Sequence, residues 1–212
     1  MLVLAAIVAA ATPAAAQPAG AGRPLKIVAL GDSLTAGLGL PAEAAFPARL
    51  QRALSRTGLA VEVANAGVSG DTSADGLARL DWSVPDDADA VILELGANDA
   101  LRGIDPQRTR AALDAIVQRL AARRIPVLLA GMRAPPNMGA DYAKDFDAIY
   151  PELAAAHAVI FYPFFLDGVA AERGLNQGDG LHPTAAGVDV IVAGLLPKAE
   201  ELIARARAAR GP

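Results

Sequence analysis

The stretch Ile27-Val28-Ala29-Leu30-Gly31-Asp32-Ser33-Leu34-Thr35-Ala36-Gly37 runs apolar, stops at a glycine and at once presents a serine. Leu25 to Leu30 is too short for a helix and reads as a buried strand. A serine just past the carboxyl end of such a strand sits where open α/β sheets collect their ligands. Ser33 is thus a candidate nucleophile, and the chain on either side must supply what holds and activates it.

Working outward, Ala45 to Arg56 carries Phe46, Leu50 and Leu54 at helical spacing, and Gly58 follows as a stop. Leu59 to Val63 predicts a second strand. It leads into the Gly-rich loop Asn65-Ala66-Gly67-Val68-Ser69-Gly70-Asp71-Thr72 and a short helix through Leu80. Ala90 to Leu95 predicts a third strand, broken at Gly96-Ala97-Asn98-Asp99. Asp105-Pro106 opens a helix with Leu113, Ile116, Val117 and Leu120 on one face, ending at Arg123-Arg124. Ile125 to Ala130 is a fourth strand, Asp141 to Ala156 a helical region interrupted near Pro151, and Val159 to Tyr162 a fifth strand. A final helix is expected from Thr184 to Ala208.

Five strands alternating with helices predict an α/β fold, a flavodoxin-like three-layer sandwich with a five-stranded parallel sheet in the order 2-1-3-4-5 and helices on both faces. The loops carrying Ser33, Gly70 and Asn98 then share one sheet edge, where the strand order reverses.

A chain of 212 residues fits one domain. With 53% hydrophobic residues but 4% aromatics, its core must be built from Ala, Val, Leu and Ile. A net charge of −4 gives no basic excess for a polyanion, so nucleic acid is not an expected partner. There is no cysteine, which removes disulfides, thiolate metal sites and a cysteine nucleophile. The histidines are two, His157 and His182, too few for a His-rich metal centre. No cofactor and no metal are expected.

Leu2 to Ala11 is wholly apolar, and Ala14-Ala15-Ala16 before Gln17 has the small-x-small pattern of a cleavage site. The run is shorter than the roughly 20 residues of a membrane span. Residues 1–16 therefore read as a signal peptide, 17–24 as a flexible lead-in and 25–212 as the domain, which predicts a periplasmic or secreted protein without a transmembrane segment. The run is not preceded by the usual Lys or Arg; a start further upstream would supply them.

A serine hydroxyl needs a base, and an imidazole base needs a carboxylate to fix its tautomer. Asp179 and His182 lie three apart in the loop Gly178-Asp179-Gly180-Leu181-His182, so one turn can deliver both to Ser33. The plainer reading of His182 is a surface histidine capping the last helix. His157, at a helix end in Ala154-Ala155-Ala156-His157, reads as structural. Attack on an acyl carbonyl also makes an oxyanion, for which the backbone N–H of Ser33, the backbone N–H of Gly70 and the Asn98 amide are the plausible donors. Gly70 could be a simple turn glycine, and Asn98 an Asx turn or helix cap. Asp32, Asp71 and Asp99 each follow a strand; they read as caps and turn holders more readily than as a Mg²⁺ pocket. Thr35 and Gly37 read as turn-shaping.

Four blocks, Gly31-Asp32-Ser33-Leu34-Thr35-Ala36-Gly37, Gly67-Val68-Ser69-Gly70-Asp71-Thr72-Ser73, Gly96-Ala97-Asn98-Asp99 and Asp179-Gly180-Leu181-His182-Pro183, resemble the SGNH (GDSL) hydrolase superfamily in order and spacing. Within it the chain resembles the bacterial arylesterase and multifunctional thioesterase/lysophospholipase subgroup, from Leu25 onward. The resemblance implies Ser33 as nucleophile, Asp179 and His182 as its triad partners, and Gly70 and Asn98 in the oxyanion hole. It further implies that the Pro135-Pro136-Asn137 loop borders the acyl site. Ala100 stands where relatives usually have glycine, and Thr184 where many have asparagine. There is no Gly-x-Ser-x-Gly elbow, which disfavours the larger α/β-hydrolase fold.

The expectation is a serine esterase acting on small acyl esters or thioesters through an acyl-enzyme, with lysophospholipids and aryl esters added by the resemblance. The alternatives are a carbohydrate O-acetylesterase, and a non-catalytic flavodoxin-like or acyl-binding module.

Overall fold

The computed structural model describes residues 23–210; the expected leader 1–16 and most of the lead-in 17–24 lie outside the described residues. In chain order the elements are β1 (Leu25–Gly31), α1 (Ser33–Ala36), α2 (Phe46–Arg56), β2 (Val61–Gly67), α3 (Ser73–Ala78), α4 (Leu80–Ser83), β3 (Ala90–Glu94), α5 (Ala97–Leu101), α6 (Pro106–Ala122), β4 (Val127–Ala130), α7 (Ala140–His157), β5 (Ile160–Tyr162) and α8 (Ala185–Arg210). All strand pairs are parallel, in the order β2-β1-β3-β4-β5.

The central strands are near-continuous apolar runs because both sheet faces are covered. Helices α2 and α8 pack together on one side, and α3, α6 and α7 form a packed row on the other. Leu30, Ile92 and Leu93 are completely buried, as are Phe46, Leu50 and Leu54 of α2 and Leu113, Ile116, Val117 and Leu120 of α6. Each such side chain contributes about 1.5–3 kcal/mol of burial free energy, an upper estimate because the unfolded chain is itself partly compact.

Two expectations need correction. Strand β2 runs from Val61 to Gly67, later than 59–63, and takes in Asn65-Ala66-Gly67. Pairing with β1 continues to Gly31↔Gly67, so the glycine-rich stretch is held as strand by its neighbour despite its low strand propensity. Helix α7 passes Pro151 without a break. Pro151 and Asp147, whose carbonyl loses its partner, both lie on the exposed side, so that the carbonyl is left open to solvent and not buried unpaired. Pro197 and Ala193 on α8 repeat the arrangement.

Candidate active site

The serine turn is built by local hydrogen bonds. Asp32 caps α1, its Oδ1 accepting from the Leu34 N–H at 2.9 Å. Gly37 closes the turn with a left-handed backbone (φ 80°), and its N–H donates to the Ser33 carbonyl. This single helical turn docks against the end of β2: a Cβ on Gly67 would lie 2.2 Å from the Ala36 nitrogen. Ser33 is 8% exposed, enough to keep its hydroxyl reachable from one side.

The loop ahead of α8 brings the imidazole. Asp179 Oδ1 accepts from the N–H groups of Leu181 (2.9 Å) and His182 (3.0 Å), while Oδ2 lies 2.6 Å from His182 Nδ1. His182 Nε2 lies 2.9 Å from Ser33 Oγ. A carboxylate can only accept, so the imidazole proton sits on Nδ1 and Nε2 is free to accept from the serine hydroxyl. The His182 backbone N–H, then its side chain and the Leu181 N–H, hold the Asp179 carboxyl far below the usual carboxylate range.

On the other side of Ser33, Gly70 has φ +90°, which a side chain would strain, and Arg102 Nη2 donates to its carbonyl at 2.7 Å. That bond turns the peptide so that the carbonyl faces Arg102. The N–H groups of Ser33 and Gly70 find no protein acceptor among the described residues. Asn98 Nδ2 donates to Asp32 Oδ2 (3.1 Å) and to the Asp71 carbonyl (3.0 Å), which ties the three strand-end loops together. Burial pushes the Asp32 carboxyl up to about 6, against the Leu34 N–H, His182 and the Asn98 amide, which favour its charge.

The three aspartates point apart in role. Asp71 pairs with Arg79 at 2.5 Å. Asp99 does not cap its own helix: its carboxylate accepts from the Ser73 N–H and hydroxyl and from Thr109 Oγ1, so it satisfies the first N–H of α3, whose N-cap is Thr72. Among the described residues no group of three or more His, Asp or Glu side chains is placed to hold a metal ion.

A cavity of about 500 Å³ opens beside Ser33, Asn98 and His182. Its walls are mainly apolar, including Leu101, Met132, Pro135, Pro136, Phe164 and Leu181. The two prolines border it as expected; Asn137 does not line it. Arg133 lies over the Phe164 ring, 4.8 Å from its centroid.

Three supporting residues escaped the sequence reading. Arg79 reaches the carbonyls of Gly31 and Ala66 (both 2.9 Å) besides Asp71, joining the ends of β1 and β2 to the Gly70 loop. Gln177 Nε2 donates to Leu38 O (2.8 Å) and Pro183 O (2.9 Å), sewing the imidazole loop to the segment after α1. Glu94 lies fully buried under the serine turn, and its signal was available: it is the one charge in the strand Ala90–Glu94. Thr184, the departure from asparagine, caps α8 with its hydroxyl, accepting from the Gly187 N–H at 3.3 Å.

Chains that set serine, imidazole and carboxylate in hydrogen-bonded sequence at a sheet's switch point are serine hydrolases, and this chain is of that class. It belongs to the GDSL-like Lipase/Acylhydrolase family, whose model matches residues 29–190. It is 38% identical over 178 residues to the esterase TesA of Pseudomonas aeruginosa, covering 84% of this chain and 89% of that one. It is 43% identical over 159 residues to thioesterase 1/protease 1/lysophospholipase L1 of Escherichia coli strain K12, covering 74% of each. Among solved structures, the SGNH-hydrolase family esterase AlinE4 superposes with a TM-score of 0.73 at 45% identity, over 86% of this chain and 98% of that one.

Proposed function

We propose that Ser33 attacks the carbonyl of an acyl ester or thioester, with His182 as general base and Asp179 as the carboxylate that orients it. The observation that carries this reading is the relay from Ser33 Oγ to His182 Nε2 (2.9 Å) and from His182 Nδ1 to Asp179 Oδ2 (2.6 Å). His182 takes the hydroxyl proton as the Oγ–carbonyl bond forms, then gives it to the departing alcohol or thiol. Water repeats the sequence on the acyl-enzyme and releases the acid.

The oxyanion is received by the N–H groups of Ser33 and Gly70 and by the Asn98 amide. Each such donor is worth about 10²–10³ in rate. Both Asn98 hydrogens already have acceptors, so one of them is shared with the oxyanion as charge develops. The acyl chain occupies the apolar cavity, which favours alkyl esters, lysophospholipids among them, over carbohydrate O-acetyl groups. No described helix is long and apolar enough to cross a membrane. With residues 1–16 as a signal peptide the enzyme works in the periplasm or outside the cell, where coenzyme A thioesters are absent.

Stopped-flow hydrolysis of a p-nitrophenyl ester tests the acyl-enzyme route. A burst approaching one p-nitrophenol per enzyme is expected wherever deacylation is the slower step. Turnover that is equally fast in Ser33→Ala would overturn the route. Export from a Gram-negative host, with Gln17 as the new N-terminus, tests the location; a full-length chain retained in the cytoplasm would refute it.

A further inference from the structure

The serine turn rests on a buried acid. Glu94 ends β3 directly beside Gly31 in the sheet register, and both Glu94 and Thr35 are completely buried. Thr35 Oγ1 donates to Glu94 Oε2 at 2.7 Å, while Oε1 has no hydrogen-bond partner among the described residues. The fit is tight: a Cβ on Gly31 would lie 2.1 Å from Thr35 Oγ1 and 2.6 Å from Glu94 Oε2. Glycine at that position is what lets the acid pass under the turn.

Charge decides the state of this acid. No Lys, Arg or His pairs with Glu94 among the described residues, and the charge that acts on it is that of a second buried carboxyl, Asp32. Tyr150 on α7 is also close by, its hydroxyl donating to Leu95 O at 3.0 Å, and the imidazole of His182 faces Asp32, where it favours the charge. Two adjacent buried carboxyls do not both ionise cheaply. Asp32 has the better claim to the charge, because its oxygens accept from the Leu34 N–H and the Asn98 amide. Burial, then Asp32, pushes the Glu94 carboxyl well above its usual range. With the proton on Glu94, the unpartnered oxygen costs the desolvation of a hydroxyl and not that of an ion.

We propose that Glu94 is a positioning residue for the serine turn: as a neutral acid it anchors Thr35, fixes the direction of Ser33 Oγ, and leaves Asp32 as the charge that orients Asn98. The inference rests on Ser33 being the nucleophile. Glu94 acts through Thr35 and Asp32 and touches no substrate. A displacement of about 1 Å at the reacting atom costs about 10²-fold in rate.

The test compares wild type with Glu94→Gln, Glu94→Leu and Thr35→Val, using kcat and KM on a p-nitrophenyl ester, pH profiles, and infrared spectra in mildly alkaline buffer. Glu94→Gln should hold kcat within about threefold, leave the acid limb of the profile unmoved and abolish a protonated-carboxyl C=O band present in the wild type. Glu94→Leu and Thr35→Val should lower kcat about 10²-fold with KM within about threefold. If Glu94→Leu does not fold, Thr35→Val and Glu94→Gln decide the matter.

A displaced acid limb or an unchanged infrared spectrum in Glu94→Gln overturns the neutral acid. Full kcat in Thr35→Val overturns the anchoring. Wild-type protein that neither hydrolyses the ester nor reacts with a fluorophosphonate overturns the nucleophile reading instead, and this inference with it.

Discussion

His157 Nε2 lies 2.5 Å from Asp114 Oδ1, a second imidazole–carboxylate pair, to which no serine hydroxyl is hydrogen-bonded among the described residues. That pair bridges α6 and α7, two packed helices, whereas His182 and Asp179 share one loop aimed at Ser33. His182→Ala should lower kcat by at least about 10³-fold. His157→Ala should leave kcat within about twofold and cost about 1 kcal/mol of stability, as befits a partly exposed imidazole–carboxylate contact. Steady-state kinetics and denaturant melts of the two variants check this ranking.

The apolar cavity predicts chain-length selectivity. Each methylene moved from water into it is worth about 0.8 kcal/mol, or about fourfold in kcat/KM, until the cavity is full. Ala170, which lines it, is a place to shorten it. Ala170→Phe should lower kcat/KM on long-chain p-nitrophenyl esters about tenfold while butyrate stays within about threefold. A flat chain-length profile in the wild type would argue against an acyl seat.

Gln177 should matter for rate more than for binding, because it holds the imidazole loop at Pro183 O and ties it to Leu38 O. Gln177→Ala frees the loop that aims His182. A fall in kcat of about tenfold with little change in KM is expected, since small misalignments are costly at the reacting atoms. Equal kcat in both proteins would show that the loop holds itself.

Far from the site, Asp89 joins the start of β1 to the end of α8. Its carboxylate accepts from Arg23 (2.9 Å), the Lys26 N–H (2.7 Å) and Arg210 (2.5 Å), and its side chain is 6% exposed. Burial alone would raise this carboxyl; Arg210, the Lys26 N–H and Arg23 bring it down from 3.8 to about 2. The folded state therefore binds fewer protons than the unfolded one between these values. The stabilisation is complete above about pH 4 and is lost as pH falls toward 2, amounting to about 1–2 kcal/mol after allowance for solvent screening. Urea melts from pH 5 downward should show this loss in the wild type and a flatter dependence in Asp89→Asn.

What could be read in the sequence follows from locality. The strand-to-turn transition at Gly31 and the three-residue spacing of Asp179 and His182 are short-range signals, and both elements fall where those signals put them. The helical faces of α2 and α6 were legible because periodicity records burial directly. The extent of β2 was not, since Asn65 to Gly67 becomes strand only through its partner β1. Asp99 looked like a cap for its own helix and instead accepts from the N–H of Ser73 at the start of α3, 26 residues away in sequence. Arg79 and Gln177 act through long-range bonds to backbone carbonyls, which leave no trace in residue type. Glu94 is the exception, a charge inside an apolar strand whose meaning needed the serine turn to be seen above it.

The central claim is that Ser33 Oγ is the reacting atom, and covalent labelling by a fluorophosphonate probe tests it most directly. Intact-mass and peptide mass spectrometry should find one adduct, on the peptide containing Ser33, in the wild type and none in Ser33→Ala. An adduct on another residue, or unchanged labelling of Ser33→Ala, would contradict the account.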